Sequence, residues 1–430
     1  MLLTTSAGAI GDFSCWGVAF GVFWIVLVIW LLWLLAIAIA VWTLRVAQFF
    51  GYRMPQVAAR PLEPATAKVA VIVPVKGSDE DTQGNLEALL QQNYARCRLI
   101  FVVQSADDPV CRLLDVLVRQ QPQRVMVVVA GNAQHRGQKV HNQLAGVAAT
   151  SSADDILAFM DADAHPDANW LHALVQPLHY GPHIGATTGY RFYVPAQPTG
   201  ANHLLCLLNA MVGSFLGPYR RAVAWGGSMA IRREDFFNYG VYDAWQGALS
   251  DDYALTWQVK KVSRRKIHFV PQCLVASRAS FNATSLREFV VRQLRITRIC
   301  SLRIWLAALS GALLYLFALL GSWAFAIAGL IEHKTWWPWC AAVFICLCTL
   351  SILRGFMLLA AARRLLPKHW AAIRPAARWF ILGVPLAQLF MLTALLQAGF
   401  GRILIWRGIR YRMRSRSQTQ VLGPVESVPP

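Results

Sequence analysis

Two aspartates one residue apart, Asp161-Ala162-Asp163, follow directly on the apolar run 156–160. Carboxylates placed at the end of a buried strand can share a hard divalent cation. Mg2+ or Mn2+ suits them, because both prefer oxygen ligands and accept phosphate and water in the remaining positions. Such a cation neutralises charge developing on a departing diphosphate. An acidic pair can also do plainer work, ending a strand or capping a helix. Further along, Ser250-Asp251-Asp252-Tyr253 opens a helical stretch over 253–261. A carboxylate there can take the proton of an attacking hydroxyl, or it can serve as an N-terminal cap in a favourable helix dipole. Arg292 and Arg295 are three residues apart and share a helix face. They can clamp a diphosphate, or hold a basic helix against anionic headgroups, and the two uses are compatible.

These residues need a scaffold. The run 69–75 (VAVIVPV) predicts a buried strand, and 85–92 a helix with Leu86, Leu89 and Leu90 on its apolar positions. The runs 99–103, 125–129 and 156–160 predict three more strands. Strand–helix alternation with nearly continuous apolar strands implies a parallel sheet covered on both faces. Ligands of such sheets bind outside the carboxyl ends of the strands. Asp161 and Asp163 stand at such an end, and this position favours the metal reading over the plainer one.

Composition places the scaffold beside a membrane. Of 430 residues, 56% are hydrophobic and only 15% charged. With a mean hydropathy of +0.41, that excludes a disordered chain and an ordinary cytosolic enzyme. Lys and Arg number 41 against 22 Asp and Glu, a net charge of +19. The excess suits anionic headgroups or a polyanion such as a nucleotide sugar. Nucleic acid is a poor explanation, because the basic residues sit beside long apolar runs. Nine cysteines without a C-x-x-C spacing argue against a disulfide framework and a structural zinc site.

The apolar run 16–44 is long enough to span a bilayer. No Lys or Arg precedes it, whereas Arg45, Arg53, Arg60 and Lys68 follow. The charge bias reads as an uncleaved anchor with its N-terminus outside and the next domain in the cytoplasm. A Pro-containing linker occupies 52–67. Spans are expected over 304–331 and 336–361, then a basic stretch over 363–378 and a last apolar segment, 379–406, interrupted by Pro385. If that segment crossed straight through, the tail with Arg407, Arg410, Arg412, Arg414 and Arg416 would lie outside, against the charge rule. A re-entrant or in-plane hairpin keeps it on the cytoplasmic face, near the active site or on headgroups. The apolar insert 201–217 is too short to span comfortably. It reads either as a buried helix or as an in-plane helix that admits a lipid, and its place in the chain favours the second.

The ordered motifs resemble the family 2-type inverting glycosyltransferases, in particular the ceramide glucosyltransferase group (family 21) and its bacterial hopanoid-linked relatives. Val73-Pro74-Val75-Lys76-Gly77 resembles the opening strand and P-x-K-G turn, and Asn85-Leu86-Glu87 with Gln92-Asn93-Tyr94 the following helix. Gln104-Ser105-Ala106-Asp107-Asp108-Pro109 resembles the first aspartate motif, and Gly137-Gln138-Lys139-Val140-His141-Asn142 the G-x-K-x-x-N segment. Asp161-Ala162-Asp163 matches the metal motif, Gly226-Gly227-Ser228 the acceptor-side turn, and Asp251-Asp252-Tyr253 the base motif. Arg292 to Arg295 resembles R-x-x-R-W, and Trp406-Arg407-Gly408 with Arg410-Tyr411 the terminal signature.

The resemblance implies an α/β GT-A-like nucleotide-sugar-binding domain with a mostly parallel sheet, plus α-helical transmembrane segments. It implies transfer from a nucleotide-sugar donor, UDP-sugar foremost, to a membrane lipid such as ceramide, with Mg2+ or Mn2+ as cofactor. Asp252 is implied as the base and Asp161 and Asp163 as metal ligands. Pro74, Lys76, Asp107, Asp108, Lys139, Asp161, Arg292 and Arg295 are implied on the donor and its diphosphate. Gly227, Ser228 and Asp251 are implied on the acceptor side. Three positions depart from the pattern: Ser105 replaces the first aspartate, Asp251 a glutamate, and Ile296 the tryptophan after Arg295. The loss of that tryptophan argues against a processive polysaccharide synthase, the rival enzyme reading. A nucleotide-binding membrane protein without catalysis is the rival outside enzymes. The expected organisation is an anchor over 1–45, a linker over 46–67, a cytoplasmic catalytic domain over 68–300, membrane helices over 301–406, and a basic, partly disordered tail over 407–430. No protein partner is legible.

Overall fold

A computed structural model describes residues 9–63, 66–78, 81–216 and 222–425, with side chains of the first helix described from Phe23 onward. The ends of the expected anchor and tail, and Gly217 at the end of the apolar insert, lie outside them. The chain opens with α1 (Ala9–Ala58), then β1 (Val69–Pro74), α2 (Thr82–Leu90), β2 (Cys97–Val103), α3 (Cys111–Gln120), β3 (Val125–Val129), α4 (Gln138–Ala148) and β4 (Ile156–Met160). Next come α5 (Trp170–Val175), β5 (Ile184–Pro195), α6 (Gly200–Gly213), β6 (Ser228–Arg232), α7 (Arg233–Asn238), α8 (Val241–Trp245), α9 (Asp251–Trp257) and β7 (Lys266–Ala279).

Among the described residues these strands form one seven-stranded sheet in the order β3-β2-β1-β4-β6-β5-β7. The first four strands are parallel and β5 pairs in parallel with β7. β6 runs antiparallel between β4 and β5. The four strands read from apolar runs are all present; β5 to β7 carry polar residues and had no such signature. All five residues of β4 are buried, because helices cover both faces of the sheet. Each large apolar side chain sequestered there contributes about 1.5–3 kcal/mol. The antiparallel β6 matters for the site. Its first residue, Ser228, pairs with Met160 at the end of β4. The loop entering β6 therefore meets the loop leaving β4.

The expected linker is largely helix. α1 continues past the apolar run, with Pro55 inside it. Proline leaves the carbonyl four residues earlier without its helical donor. Here that carbonyl, Gly51 O, accepts instead from the Arg364 guanidinium at 3.2 Å. The same stretch buries Phe50 and Met54, with Phe50 stacked on Phe269 of β7 at 6.4 Å.

After the sheet come α10 (Ala283–Cys300), α11 (Leu302–Ile331), α12 (Trp337–Leu365), α13 (Trp370–Ile373), α14 (Ala377–Leu382) and α15 (Val384–Ala398). Among the described residues three helices are long and apolar enough to cross a membrane: Phe23–Ala58, Leu302–Ile331 and Trp337–Leu365. The last apolar segment is not one straight helix. Pro367–Leu382 and Val384–Ala398 meet at an angle of 85°. The break falls at Gly383, and Pro385 lies in the first turn of α15. α6 packs into a core with Phe380 and Val384 and buries nearly all its residues. The buried-helix reading of the insert therefore describes it.

The tail requires a correction. Ile403–Trp406, expected at the end of the last apolar segment, forms β8, and the tail expected to be partly disordered forms β9 (Ile409–Ser415) and β10 (Gln418–Pro424), so that the three make an antiparallel sheet in sequential order. Its alternating pattern hides Leu404, Tyr411 and Met413 against Leu249, Ile296 and Cys300 while the arginines face outward. The charge count masked this period-two signal.

Candidate active site

The carboxyl ends of β1, β2 and β4, the start of α4, the entry to β6 and the first turn of α9 converge on one region. β4 delivers Asp161 and Asp163. The Asp161 amide donates to Gly227 O at 3.2 Å, tying the two loops together. Glycine is required there sterically. A side chain at Gly226 would collide with the Asp251 carboxylate, and one at Gly227 with the Trp225 ring.

The charged groups form an alternating chain. Lys139 Nζ lies 2.7 Å from Asp161 Oδ1 and 3.0 Å from Asp251 Oδ2. Arg191, on β5, lies 3.2 Å from Asp161 and 2.5 Å from Asp163. Arg407 reaches Asp163 at 3.7 Å. Each carboxylate of this chain has at least one cation. Burial works against the Lys139 charge, but Asp161 and Asp251 outweigh it and hold the amine above the ordinary lysine value. At Asp163 burial alone would favour the acid, yet Arg191 prevails and the pKa is lowered. Arg191 also faces the rings of Trp225 at 5.2 Å and Tyr193 at 5.8 Å, which fixes its plane.

Asp252 is treated differently. Its Oδ1 accepts from the Tyr253 amide at 2.7 Å and from the Ser250 hydroxyl, and its Oδ2 from the Gly226 amide at 3.4 Å. No cation pairs with it directly among the described residues. Burial, then the neighbouring Asp251 charge, push its pKa up to about 6. Such a carboxylate is ionised at neutral pH yet binds a proton more readily than an exposed aspartate. Asp251 is buried, accepts from Gln143 Nε2 at 2.8 Å and faces Lys139.

The fit to a divalent cation can be tested on the carboxylates. Asp161 Oδ2 and Asp163 Oδ1 converge on a single Arg191 nitrogen, so two hard oxygens point to one place. Among the described residues no group of three or more His, Cys, Asp or Glu gathers to hold a metal. The chain thus offers two carboxylates. This fits Mg2+ or Mn2+, which commonly take one or two carboxylates and complete their shell with substrate phosphate and water.

Other expected residues are placed as follows. Pro74 ends β1, and Lys76 Nζ donates to Arg407 O at 3.3 Å. Asp108 accepts from the Gly77 and Val110 amides, both at 3.0 Å, and so braces the turns after β1 and β2. Ser105 Oγ accepts from the Asp107 amide at 3.2 Å in the same loop. Ser228 borders the site, but its buried hydroxyl accepts from Trp170 Nε1 at 2.8 Å and faces inward. Arg295 donates to Ile403 O at 2.8 Å and holds β8, outside the charged chain. Arg292 lies over Phe289 at 5.6 Å with its Nε unpartnered, and Tyr193 is close enough to influence it. Ile296 faces the C-terminal sheet. Arg191 has no sequence signal beyond a charge inside the strand TTGYRFYVP, whereas Arg407 is expected in the basic tail, near the active site or on headgroups.

The family model described as Glycosyl transferase family 21 matches residues 28–419. A curated ceramide glucosyltransferase from Komagataella phaffii is 27% identical over 167 residues, covering 36% of this chain. The match takes in 32% of that relative's own length. Among solved structures, a mannosyltransferase from Pyrobaculum calidifontis, in complex with GDP-Man and Mn2+, is 16% identical. It aligns over 86% of this chain and 97% of its own with a TM-score of 0.43. Glucosyl-3-phosphoglycerate synthase from Mycobacterium tuberculosis, with Mn2+, UDP and phosphoglyceric acid, is 17% identical. It aligns over 58% of this chain and 81% of its own with a TM-score of 0.35. Likenesses at that level transfer no ligand to the present chain.

Proposed function

The chain belongs to glycosyl transferase family 21, matched over most of its length, and on that premise we propose that it moves a sugar from a nucleoside-diphosphate donor, UDP-sugar foremost, to a hydroxyl of a membrane lipid such as ceramide, with inversion. The observation that carries this reading is the contrast inside the site: a cation-paired chain through Asp161 and Asp163 beside Asp252, whose pKa stands near 6.

In the proposed reaction the acceptor oxygen attacks the anomeric carbon from the face opposite the diphosphate. The bond from that carbon to the diphosphate oxygen breaks, and the electron pair leaves with the nucleoside diphosphate. Asp252 takes the acceptor's proton. Lys139 holds Asp161 and Asp251 in place, and Arg191 orients Asp161 and Asp163. Arg292, which makes no ion pair among the described residues, is the side chain we assign to the leaving group. Asp161 and Asp163 would hold Mg2+ or Mn2+, which when bound supplies charge neutralisation at the diphosphate. Preorganised charge of this kind acts most strongly where charge develops.

The apolar helices suit an integral membrane protein. We place the catalytic domain on the cytoplasmic face, following the basic residues after the first apolar run. The C-terminal sheet packs on the catalytic domain: Tyr411 Oη accepts from the Gln138 amide at 3.3 Å, and Arg416 lies 3.6 Å over Trp257. Both therefore occupy one side. With α11 leaving and α12 returning, the bent α14–α15 segment enters and comes back on the side it left.

Purified full-length protein, supplied with UDP-sugars and membrane lipid extracts, should yield a glycolipid by mass spectrometry. No transfer or donor hydrolysis with any nucleotide sugar would refute the reading. Polymeric product by gel filtration would replace it with a processive synthase. Cysteine at Ser417, an exposed site, should resist an impermeant thiol reagent in intact cells once native cysteines are controlled. Labelling there would refute the placement of the tail.

A further inference from the structure

The turn between β8 and β9 is two residues long, Arg407-Gly408, because Trp406 pairs directly with Ile409. Both turn residues have positive φ, +46° and +79°. A two-residue hairpin of this hand suits Asn-Gly or Gly-Gly. An arginine there is an outlier that the fold itself does not ask for. Its backbone is anchored, since the Arg407 carbonyl accepts from Lys76 Nζ, in the turn after β1, at 3.3 Å. Its guanidinium, half exposed, stands 3.7 Å from Asp163 Oδ2.

The sheet behind the turn is a docked element. Tyr411 is buried against Gln138, beside Lys139. Arg295 holds the Ile403 carbonyl, and Arg416 Nε donates to Cys300 O at 3.1 Å. Gly247 has no room for a side chain because the Ser417 carbonyl fills the space. Leu249, next to Ser250, lies in the same apolar cluster as Leu404 and Met413. The sheet thus packs behind the base-bearing turn and presents Arg407 at the acidic pair.

The cations already at that pair are committed. Lys139 is shared between Asp161 and Asp251, and Arg191 between Asp161 and Asp163. Of the ion pairs in this charged network Arg407 makes the longest and most exposed, so its remaining donors are open to solvent. A diphosphate seated against Asp163 falls within reach of that planar, multi-donor group.

We infer that Arg407 is a diphosphate-binding residue, and that the C-terminal three-stranded sheet is a fixed wall of the donor site. This rests on the glycosyltransferase reading above. The test is equilibrium binding of UDP, GDP and their monophosphates to full-length protein in detergent with Mn2+. Arg407→Asn removes the cation while offering a residue that tolerates positive φ, so the turn keeps its shape. Its affinity for the bound diphosphate should fall about tenfold, the scale of one charge-assisted hydrogen bond. Monophosphate affinity should change little, Arg407→Lys should recover part of the loss, and the melting temperature should not drop. Arg414→Ala, an exposed arginine on β9, should bind like the wild type. Equal loss for diphosphate and monophosphate, or no loss for either, would overturn the inference while leaving the glycosyltransferase reading intact. Wild-type protein that binds no nucleotide would overturn both.

Discussion

Two neighbouring parts of the site use the same residue type to opposite ends. In the floor, Asp161, Asp163 and Asp251 each face a lysine or an arginine within 3.2 Å. In the corner at the start of α9, Asp252 receives hydrogen bonds from a hydroxyl and two amides and adjoins another carboxylate. Burial raises a carboxylate's pKa in both places. Cations reverse that at Asp163, and nothing reverses it at Asp252. Partner charge, more than burial, therefore separates a group held anionic from one that binds a proton more readily.

Removing the corner's carboxylate should produce the largest effect. Asp252→Asn should lower transfer by about 10²–10⁴-fold, the usual worth of a general base, with nucleoside-diphosphate affinity unchanged by titration. An active Asp252→Asn with a dead Asp251→Asn would invert the assignment. In the floor, Arg191→Ala strips the cation shared by Asp161 and Asp163. Breaking a buried pair costs about 3–5 kcal/mol, and the partial exposure of Asp163 reduces that figure. Scanning fluorimetry should show a melting temperature lower by roughly 5 °C, with part of the loss recovered by Mn2+. A variant as stable as wild type, unmoved by metal, would mean that the floor does not depend on this cation.

A smaller loss is expected from Gly226→Ala, whose methyl group must displace Asp251. About a tenfold fall in kcat/KM, with little change in melting temperature, would show that floor and corner share their spacing; each 1.4 kcal/mol of misplacement is a factor of ten. The mildest effect concerns pH. Asp252 must be ionised to accept a proton, so kcat/KM should fall as pH drops through about 6. Asp251→Asn removes the adjacent like charge, makes ionisation of Asp252 easier and should move that acid limb to lower pH. A limb that moves upward, or stays fixed, would show that Asp251 does not set the corner's proton affinity.

Some of this could be read residue by residue. β4 lies at the expected position because an unbroken apolar run of that length suits a strand buried on both faces, and β3, equally well placed, is a half-exposed edge strand. Asp161 and Asp163 follow from being the first polar residues past β4. Asp252 follows from its place in the first turn of α9, where Ser250 supplies the cap. The C-terminal sheet escaped because five arginines dominate its composition, while its alternating Leu404, Tyr411 and Met413 acquire meaning only against Leu249 and Ile296. Arg295, expected on the diphosphate with Arg292, also donates to Ile403 O and so holds β8, a contact no spacing could show.

By itself the sequence determined the local elements: the apolar helices, the parallel strands and the carboxylates at their ends. Periodicity and run length act over a few residues and need no partner to be recognised. Tertiary structure alone decided which charges meet. Arg191 reaches Asp161 because β6 reverses direction between β4 and β5. Arg407 reaches Asp163 because a hairpin far along the chain docks beside Gln138 and Lys76. An ion pair acts only at contact distance, and sheet order and docking, rather than separation along the chain, bring such charges together.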